Sequence, residues 1–263
     1  MKSTFKELKS FFILWFTQSF SALGSQTTSF ALVIWSYKQS ESALTTSLLT
    51  VSSYAPYVLV SIFAGVLSDK WNKKITMLVS DSIAALCTIT VLILMKTDCL
   101  QIYQLYIINA MNGLMNSIQQ PASDVTVTLL TPKKHYQKAS AMRSFSNSAI
   151  SLLSPMLGAW FFSVLGLDWV IFFDLITFFT AFLTLLFFIK IPDITNDNKT
   201  ESVMQSAKNG LRYLKYNRGI LGLILFLAAI NFTASIYESA LPARIISDVN
   251  GGENILGAVN ACT

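Results

Sequence analysis

The sequence predicts an all-α membrane protein, built as a bundle of long apolar helices. Charged residues make up only 13% of its 263 residues, and 19 residues are Phe, whereas about a quarter of a soluble domain is charged. The charges lie between apolar runs of about 20 residues, the length that crosses a hydrocarbon core. We place the spans at 11–35, 43–67, 75–95, 100–122, 140–165, 168–190 and 219–243, with a further apolar start at Ile255. The first span is too long for a cleaved signal peptide and is predicted to be retained.

The distribution of Lys and Arg predicts the orientation. Successive connections between spans lie on alternate sides of the membrane. All but three of the 19 cations fall in the N-terminus or in connections on the same side of the membrane as the N-terminus; the exceptions are Lys38, Lys96 and Arg244. Because cytoplasmic loops carry the excess of basic residues, the N-terminus and these loops are predicted to be cytoplasmic. The net charge of +5 therefore indicates topology, and we expect no nucleic-acid partner.

Polar residues within two spans predict an internal cavity, since unpaired polar groups are costly in lipid. They recur every three or four residues and so share one helix face. These residues are Gln18, Ser21 and Ser25 in the first span, and Asn109, Asn112, Asn116 and Gln119 in the fourth. The two spans hold equivalent places in spans one to three and four to six, as in inverted three-helix repeats. Small polar stripes in the second and fifth spans either line the cavity or join helices.

The remaining intramembrane carboxylates receive different interpretations. Spans three and six are mainly Leu, Ile and Phe, and are predicted to face lipid; their Asp81 and Asp174 are interpreted as reaching the interface from helix ends. Glu238 lies in the seventh span, where a carboxylate costs about 2.5–3.5 kcal/mol. We hypothesise that Glu238 binds a cationic substrate or carries a coupling proton; the alternative is a structural role.

No motif indicates an enzyme, a metal site or a cofactor. The three Cys have no metal-like spacing, and the single His, His135, lies in a basic loop. The chain has neither a Gly-rich phosphate loop nor a His-Glu-x-x-His motif. We therefore predict a protein without catalytic activity.

The loop after the second span carries the most specific motif. Gly65-Val-Leu-Ser-Asp69-Lys70-Trp-Asn72-Lys73-Lys74 follows the pattern G-x-x-x-D-[RK]-x-G-[RK]-[RK], and resembles the loop that closes the second helix in the major facilitator superfamily. Asn72 replaces the second Gly, and Asn is the next residue after Gly to tolerate a left-handed turn. Further resembling stretches are 14–24, 28–32, 120–122, 174–178 and 256–257, which are most similar to the bacterial macrolide-efflux and enterobactin-exporter group.

The resemblance implies a major-facilitator-type helical bundle. Residues 1–190 would form the N-terminal six-helix domain, 191–218 a cytoplasmic linker, and 219–263 helix seven and the start of helix eight. Helices one and four would line the cavity, two and five would face the partner domain, and three and six would lie outside. Asp69 would contact the C-terminal domain, and Lys73 would pair with Asp124 at the end of helix four, as one element of alternating access.

Two other family marks match less closely. Ser154-Pro155-Met-Leu-Gly158 departs from the antiporter motif G-P-x-x-G at its first position; a packing kink is the alternative interpretation. The helix-four Arg of proton-linked relatives is missing, with Asn109 near its expected place, which is a departure from their usual scheme of proton coupling.

The expected function is secondary active efflux in the bacterial cytoplasmic membrane. The resemblance implies export of small amphipathic compounds such as macrolide antibiotics, by proton-coupled antiport. The alternatives are a siderophore exporter, and a truncated membrane interaction protein that does not transport. Such transporters have about twelve helices, and this sequence stops within the expected eighth. We therefore expect a truncated product or fragment, or a second chain that supplies the C-terminal half.

Overall fold

Seven long helices make up most of the protein, and the computed structural model describes residues 8–192, 212–248 and residue 255. In these ranges the chain is almost entirely helical and contains no strand. The helices are α1 (Lys9–Ser40), α2 (Ala43–Lys70), α3 (Lys73–Lys96), α4 (Ile102–Leu130), α5 (Tyr136–Val164), α6 (Leu167–Phe187) and α7 (Arg218–Asp248). They match the seven predicted spans in order. Residues 212–216 of the predicted linker are also helical, and the start of the eighth span, apart from Ile255, lies outside the described residues.

The fourth helix ends eight residues later than the sequence analysis placed it. Pro121 lies inside α4 and does not end it. The helix stops at Leu130 because Pro132 disfavours helical backbone at the preceding residue, and Thr131 is accordingly extended, with φ −109° and ψ 123°. This extension places Asp124 within the helix.

The start of α3 corrects one expectation for the loop motif. Asn72 has φ −65° and ψ 116°, which is extended and not left-handed. Its side-chain Oδ1 accepts a hydrogen bond from the Ile75 N–H at 3.1 Å. Asn72 therefore acts as the N-cap of α3, the position that Asn favours most strongly in helices.

The contacts among α1–α6 mostly join helices of the first set, α1–α3, to helices of the second, α4–α6. The most extensive contacts join α2 to α4, α1 to α6, α3 to α4 and α1 to α5, and α3 also packs on α6. The first three helices correspond in order to the last three, so that α1 is equivalent to α4, α2 to α5 and α3 to α6. Under this correspondence the α2–α4 contact is equivalent to the α1–α5 contact, and the α1–α6 contact is equivalent to the α3–α4 contact. This is the inverted-repeat arrangement expected from the sequence. α7 packs mainly against α2.

Glycines allow the closest of these contacts. A Cβ added at Gly113 of α4 would lie 2.0 Å from the main-chain oxygen of Ser53 on α2. One added at Gly158 of α5 would lie 3.0 Å from the Thr27 main-chain oxygen and from Phe30 Cδ1, both on α1. Small residues let helix backbones approach in this way in membrane bundles.

The outer surface of the bundle is apolar. Exposed large residues follow helical spacing along α3 and along α6; they are Ile75, Val79, Leu86 and Ile93, then Phe172, Ile176, Phe179 and Phe187. Among the described residues, four segments are long and apolar enough to cross a membrane, namely Ala43–Ser61, Lys73–Lys96, Lys133–Val164 and Leu167–Phe187. α1 and α4 are not among them, since they carry the predicted polar stripes.

Candidate functional site

A polar cavity of about 370 Å³ lies inside the bundle. Its lining comes from α1, α3, α4, α5 and α6. All seven cavity residues predicted in the first and fourth spans contribute to it: Gln18, Ser21, Ser25, Asn109, Asn112, Asn116 and Gln119. Apolar clusters pack at each end of the bundle, one around Leu14, Met77 and Leu185 and the other around Leu32, Val91 and Ile171.

Asp81 is a buried carboxylate in this cavity, with 9% of its surface exposed. Two amides from different helices donate hydrogen bonds to it. Gln119 of α4 reaches Oδ1 at 2.6 Å, and Gln18 of α1 reaches Oδ2 at 3.4 Å. The carboxylate of α3 is thus tied to both helices that supply most of the lining.

Asp174 of α6 is the second buried carboxylate, with 3% of its surface exposed. Hydroxyl groups donate to it: Ser25 of α1 to Oδ1 at 2.9 Å, and Thr88 of α3 to Oδ2 at 3.2 Å. Gly24 permits this contact, because a Cβ there would lie 2.2 Å from Thr177 Oγ1 and 3.1 Å from Asp174 Oδ1.

The expectations for spans three and six were therefore partly wrong. Their outer faces are exposed and apolar, but Asp81 and Asp174 point into the bundle instead of reaching the interface. A signal was present in the sequence. Asp81, Ala84, Ala85 and Thr88 share one helix face by their spacing of three and four residues, and all four line the cavity. This stripe of small and polar residues is interrupted by long apolar side chains that face outward.

Arg143 of α5 also lines the cavity, although the sequence analysis counted it only among the cytoplasmic cations. It forms an ion pair with Asp124 of α4. The resemblance implied Lys73 as the partner of Asp124, and the structure places Arg143 there instead. The physical reason is the longer α4, which presents Asp124 to the first turns of α5.

The loop motif contacts the end of α6 through Lys74. Lys74 donates to the main-chain oxygens of Leu186 and Ile189, at 2.9 and 2.7 Å. The ammonium group thus satisfies carbonyls at the C-terminal end of α6, where a cation is also favoured by the helix dipole. Gly65 has open space around it. The side chains of Asp69 and Lys70 lie outside the described residues.

At the opposite end of α3, Lys96 pairs with Asp168 in the first turn of α6. Lysines at both ends of α3 therefore hold α6. Both contacts join α3 to α6, the two helices that supply Asp81 and Asp174.

The helix-five motif is a packing element in the structure. Pro155 lies within α5, and the buried Ser154 hydroxyl donates to the Ile150 carbonyl at 2.6 Å. Gly158 contacts α1 as described above. These three residues do not line the cavity.

The seventh helix adds less to this site. The side chain of Glu238 lies outside the described residues. Asn231 of the same helix donates to its own Leu227 carbonyl at 2.8 Å. The polar stripe of the second span, which includes Thr46 and Thr50, also lies away from the cavity, and these two hydroxyls donate to main-chain carbonyls of α2.

The polar groups of the cavity are amides, hydroxyls, two carboxylates and the Arg143 guanidinium, which is paired with Asp124. Among the described residues, no group of three or more His, Cys, Asp and Glu could hold a metal ion. In the same part of the chain, neither Asp81 nor Asp174 has a Lys or Arg ion-pair partner. The buried Asn112 Oδ1 has no hydrogen-bond partner within that part. Such a lining suits a polar or cationic ligand.

Comparison with known proteins supports the family assignment. The family model of the Major Facilitator Superfamily matches residues 14–261. An uncharacterized MFS-type transporter, YfiS, of Bacillus subtilis (strain 168) is 24% identical over 242 residues, covering 90% of this chain and 57% of the relative.

Two further relatives are each described as macrolide efflux protein A. The protein of Streptococcus pyogenes is 22% identical over 217 residues, with 82% of this chain and 53% of the relative covered. That of Enterococcus faecalis is 24% identical over 179 residues, covering 67% of this chain and 55% of the relative. The chain spans about half the length of the curated relatives it matches. Together with the polar cavity and the repeated three-helix packing, the match over nearly the whole chain shows that this membrane protein belongs to the Major Facilitator Superfamily.

Proposed function

We propose that this chain supplies the first half of a secondary active transporter that exports small amphipathic compounds, macrolides among them. The observation that carries the proposal is the partly open cavity lined by polar residues of α1, α3, α4, α5 and α6 within an apolar bundle. Its volume of about 370 Å³ falls within the range of small-molecule sites. Polar groups are otherwise costly inside a membrane bundle, so this concentration of them indicates a pathway for a solute.

Macrolides enter the proposal through the relatives. Two of the matched proteins are named as macrolide efflux proteins, although at 22–24% identity. The cavity offers amides and hydroxyls that would bind the oxygen-rich face of such a compound, beside apolar residues such as Leu14, Leu32 and Phe178. That mixture fits an amphipathic ligand.

Proton antiport is the proposed energy source. Two buried carboxylates in the cavity are groups that exchange protons, and neither has a cationic partner among the described residues. In such a cycle a carboxylate would take up a proton from the outer side and release it to the cytoplasm when substrate binds. This assigns the coupling step to a cavity carboxylate instead of to the helix-four Arg that this sequence lacks.

The proposed orientation places the N-terminus and the connections at 71–72 and 131–135 in the cytoplasm, following the distribution of basic residues. The proposed domain division follows the six-helix bundle: 1–190 as the first domain, 191–218 as the linker and 219–263 as the beginning of the second. The whole cavity would then be completed by a C-terminal half or a second chain.

Transport in cells tests the function. The chain, and the same chain extended by the adjoining downstream reading frame, would be expressed in a drug-sensitive bacterium that lacks its own exporters. Accumulation of a radiolabelled macrolide would be measured with and without a protonophore. We expect lower accumulation, which the protonophore abolishes, in at least the extended form.

Matched variants link transport to the cavity. Asn112→Leu removes a cavity amide, whereas Thr90→Leu changes an exposed polar residue of α3 that does not line the cavity. We expect the first to impair efflux and the second to preserve it. Equal macrolide accumulation with and without either form, despite verified membrane insertion, would count against macrolide efflux and favour the interaction-protein alternative.

A further inference from the structure

The two buried carboxylates occupy equivalent places in the repeated fold but differ in how they are held. Asp81 lies eight residues after the first residue of α3, and Asp174 lies seven residues after the first residue of α6. Both bond to the same helix, α1, through Gln18 and Ser25. These partners are seven residues apart, which is about 10 Å along a helix. The cavity thus has one carboxylate toward each end.

Asp174 is fixed by its neighbours. Its partners Ser25 and Thr88 have short side chains, so their hydroxyls cannot leave the carboxylate far without movement of α1 or α3. The backbone of α1 also lies directly against it at Gly24. Asp174 is also less exposed than Asp81, at 3% against 9%, so we infer that it acts as a structural contact among α1, α3 and α6.

Asp81 is held by side chains that can move independently of the helices. Gln18 and Gln119 are long, half-buried residues that line the cavity, and each can leave the carboxylate by a change of rotamer. The Gln18 contact, at 3.4 Å, is already at the upper limit for a hydrogen bond. Opening these two amides exposes the carboxylate to the cavity without any change in helix packing.

The electrostatics of the cavity favour a cation at this position. Arg143, a cation in the cavity lining, is already paired with Asp124. A buried carboxylate bonded only to neutral groups is poorly compensated, so a positive ligand gains more there than an uncharged one. Trp15 lines the same cavity, and its ring is oriented by the bond from Nε1 to the Met142 carbonyl at 3.2 Å. An aromatic face of this kind also favours cations.

We propose that Asp81 is the carboxylate that binds a lipophilic monocation in the cavity. Gln18 and Gln119 donate to it when no cation is bound and move away when one binds, and Asp174 is its structural counterpart. The inference rests on the proposed function, since it names the charge of the substrate for that site. It assigns different roles to two residues that the repeat makes equivalent.

Direct binding to the chain in lipid nanodiscs tests this assignment. The probe is radiolabelled tetraphenylphosphonium, a permanent lipophilic cation, with triphenylphosphine oxide as an uncharged analogue, measured by equilibrium dialysis against empty nanodiscs. We expect the wild type to bind the cation and Asp81→Asn to weaken its affinity by about tenfold or more. Asp174→Asn, checked for the wild-type far-UV spectrum and elution volume, should stay within about threefold.

A second variant covers the case in which Asp81→Asn does not fold. Gln119→Leu removes the shorter of the two amide hydrogen bonds to Asp81. It should tighten tetraphenylphosphonium binding severalfold, which loss of a merely structural contact would not do. Affinity for triphenylphosphine oxide should be the same in all variants. Absence of cation binding by the wild type, equal affinity in Asp81→Asn, or equal losses in the two Asp variants would each overturn the assignment. None of these outcomes bears on macrolide efflux, which the cellular assay measures separately.

Discussion

The contact between α2 and α4 at Gly113 makes a quantitative prediction for Gly113→Ala. A Cβ at this position would lie 2.0 Å from the Ser53 main-chain oxygen and 2.9 Å from its carbonyl carbon, whereas ordinary contact begins at 3.4 Å. The two helices would have to separate by about 1.4 Å at this point. Main chain cannot rotate out of the way as a flexible side chain can, so the whole α2–α4 contact has to adjust.

The size of the effect follows from two opposing contributions. Overpacking costs about 1–3 kcal/mol, and displacement of main chain puts this site at the upper end. Replacing Gly by Ala within a helix returns about 1 kcal/mol. The expected net loss in the free energy of unfolding is therefore about 2 kcal/mol, which lowers the folded-to-unfolded ratio by about thirtyfold.

Reversible unfolding of the purified chain in mixed micelles, followed by circular dichroism, measures this difference. Gly65→Ala is the matched control, because it lies on α2 and nothing is within 4 Å of the added Cβ. We expect the control to be as stable as the wild type, or more stable by up to about 1 kcal/mol. The packing argument fails if Gly113→Ala proves as stable as this control.

Three further predictions concern contacts around the cavity, all measured by the same unfolding assay. Lys74→Met removes two hydrogen bonds to the end of α6 and should lower the free energy of unfolding by about 1 kcal/mol after allowance for solvent exposure. The control Lys133→Met changes an exposed residue and should leave the free energy of unfolding unchanged; equal losses would contradict the capping role. A double-mutant cycle with Asp124→Asn and Arg143→Gln should give a coupling of about 0.5–1 kcal/mol, and additive effects would refute the pair. Gly158→Ala should lose about 1 kcal/mol, less than the change at the α2–α4 contact; a larger loss would reverse the ranking of the two contacts.

The cavity could be predicted from the sequence because its strongest signals are local. Amides such as Asn112 and Gln119 have a large cost in lipid, and their spacing of three and four residues assigns them to one face of a single helix. The contributions of Asp81 and Asp174 were harder to find. Each lies in a span rich in long apolar residues, many of which face outward, so an average over the span hides the inner face.

Local turn chemistry also has more than one solution. Asn favours both a left-handed turn and a helix N-cap, and the sequence around Asn72 does not choose between them. In the structure Asn72 is the N-cap, and its side chain accepts a hydrogen bond from the Ile75 N–H. The partner of Asp124 depends on how far α4 continues and on which helix lies beside it, and both are properties of tertiary packing.

The two contacts related by the repeat differ in kind, and this difference bears on how the cavity could open. The α2–α4 pair meets backbone to backbone at Gly113, so sliding there encounters main-chain atoms at once. The α1–α5 pair meets partly through side chains: the Ser19 hydroxyl donates to Ser146 at 3.0 Å, and Gly158 lies against Phe30 as well as the Thr27 main-chain oxygen. Side-chain contacts of this type can exchange partners during a small shift. Because α1 holds both carboxylates, through Gln18 and Ser25, a shift of α1 relative to α5 would change the hydrogen bonding of both Asp81 and Asp174.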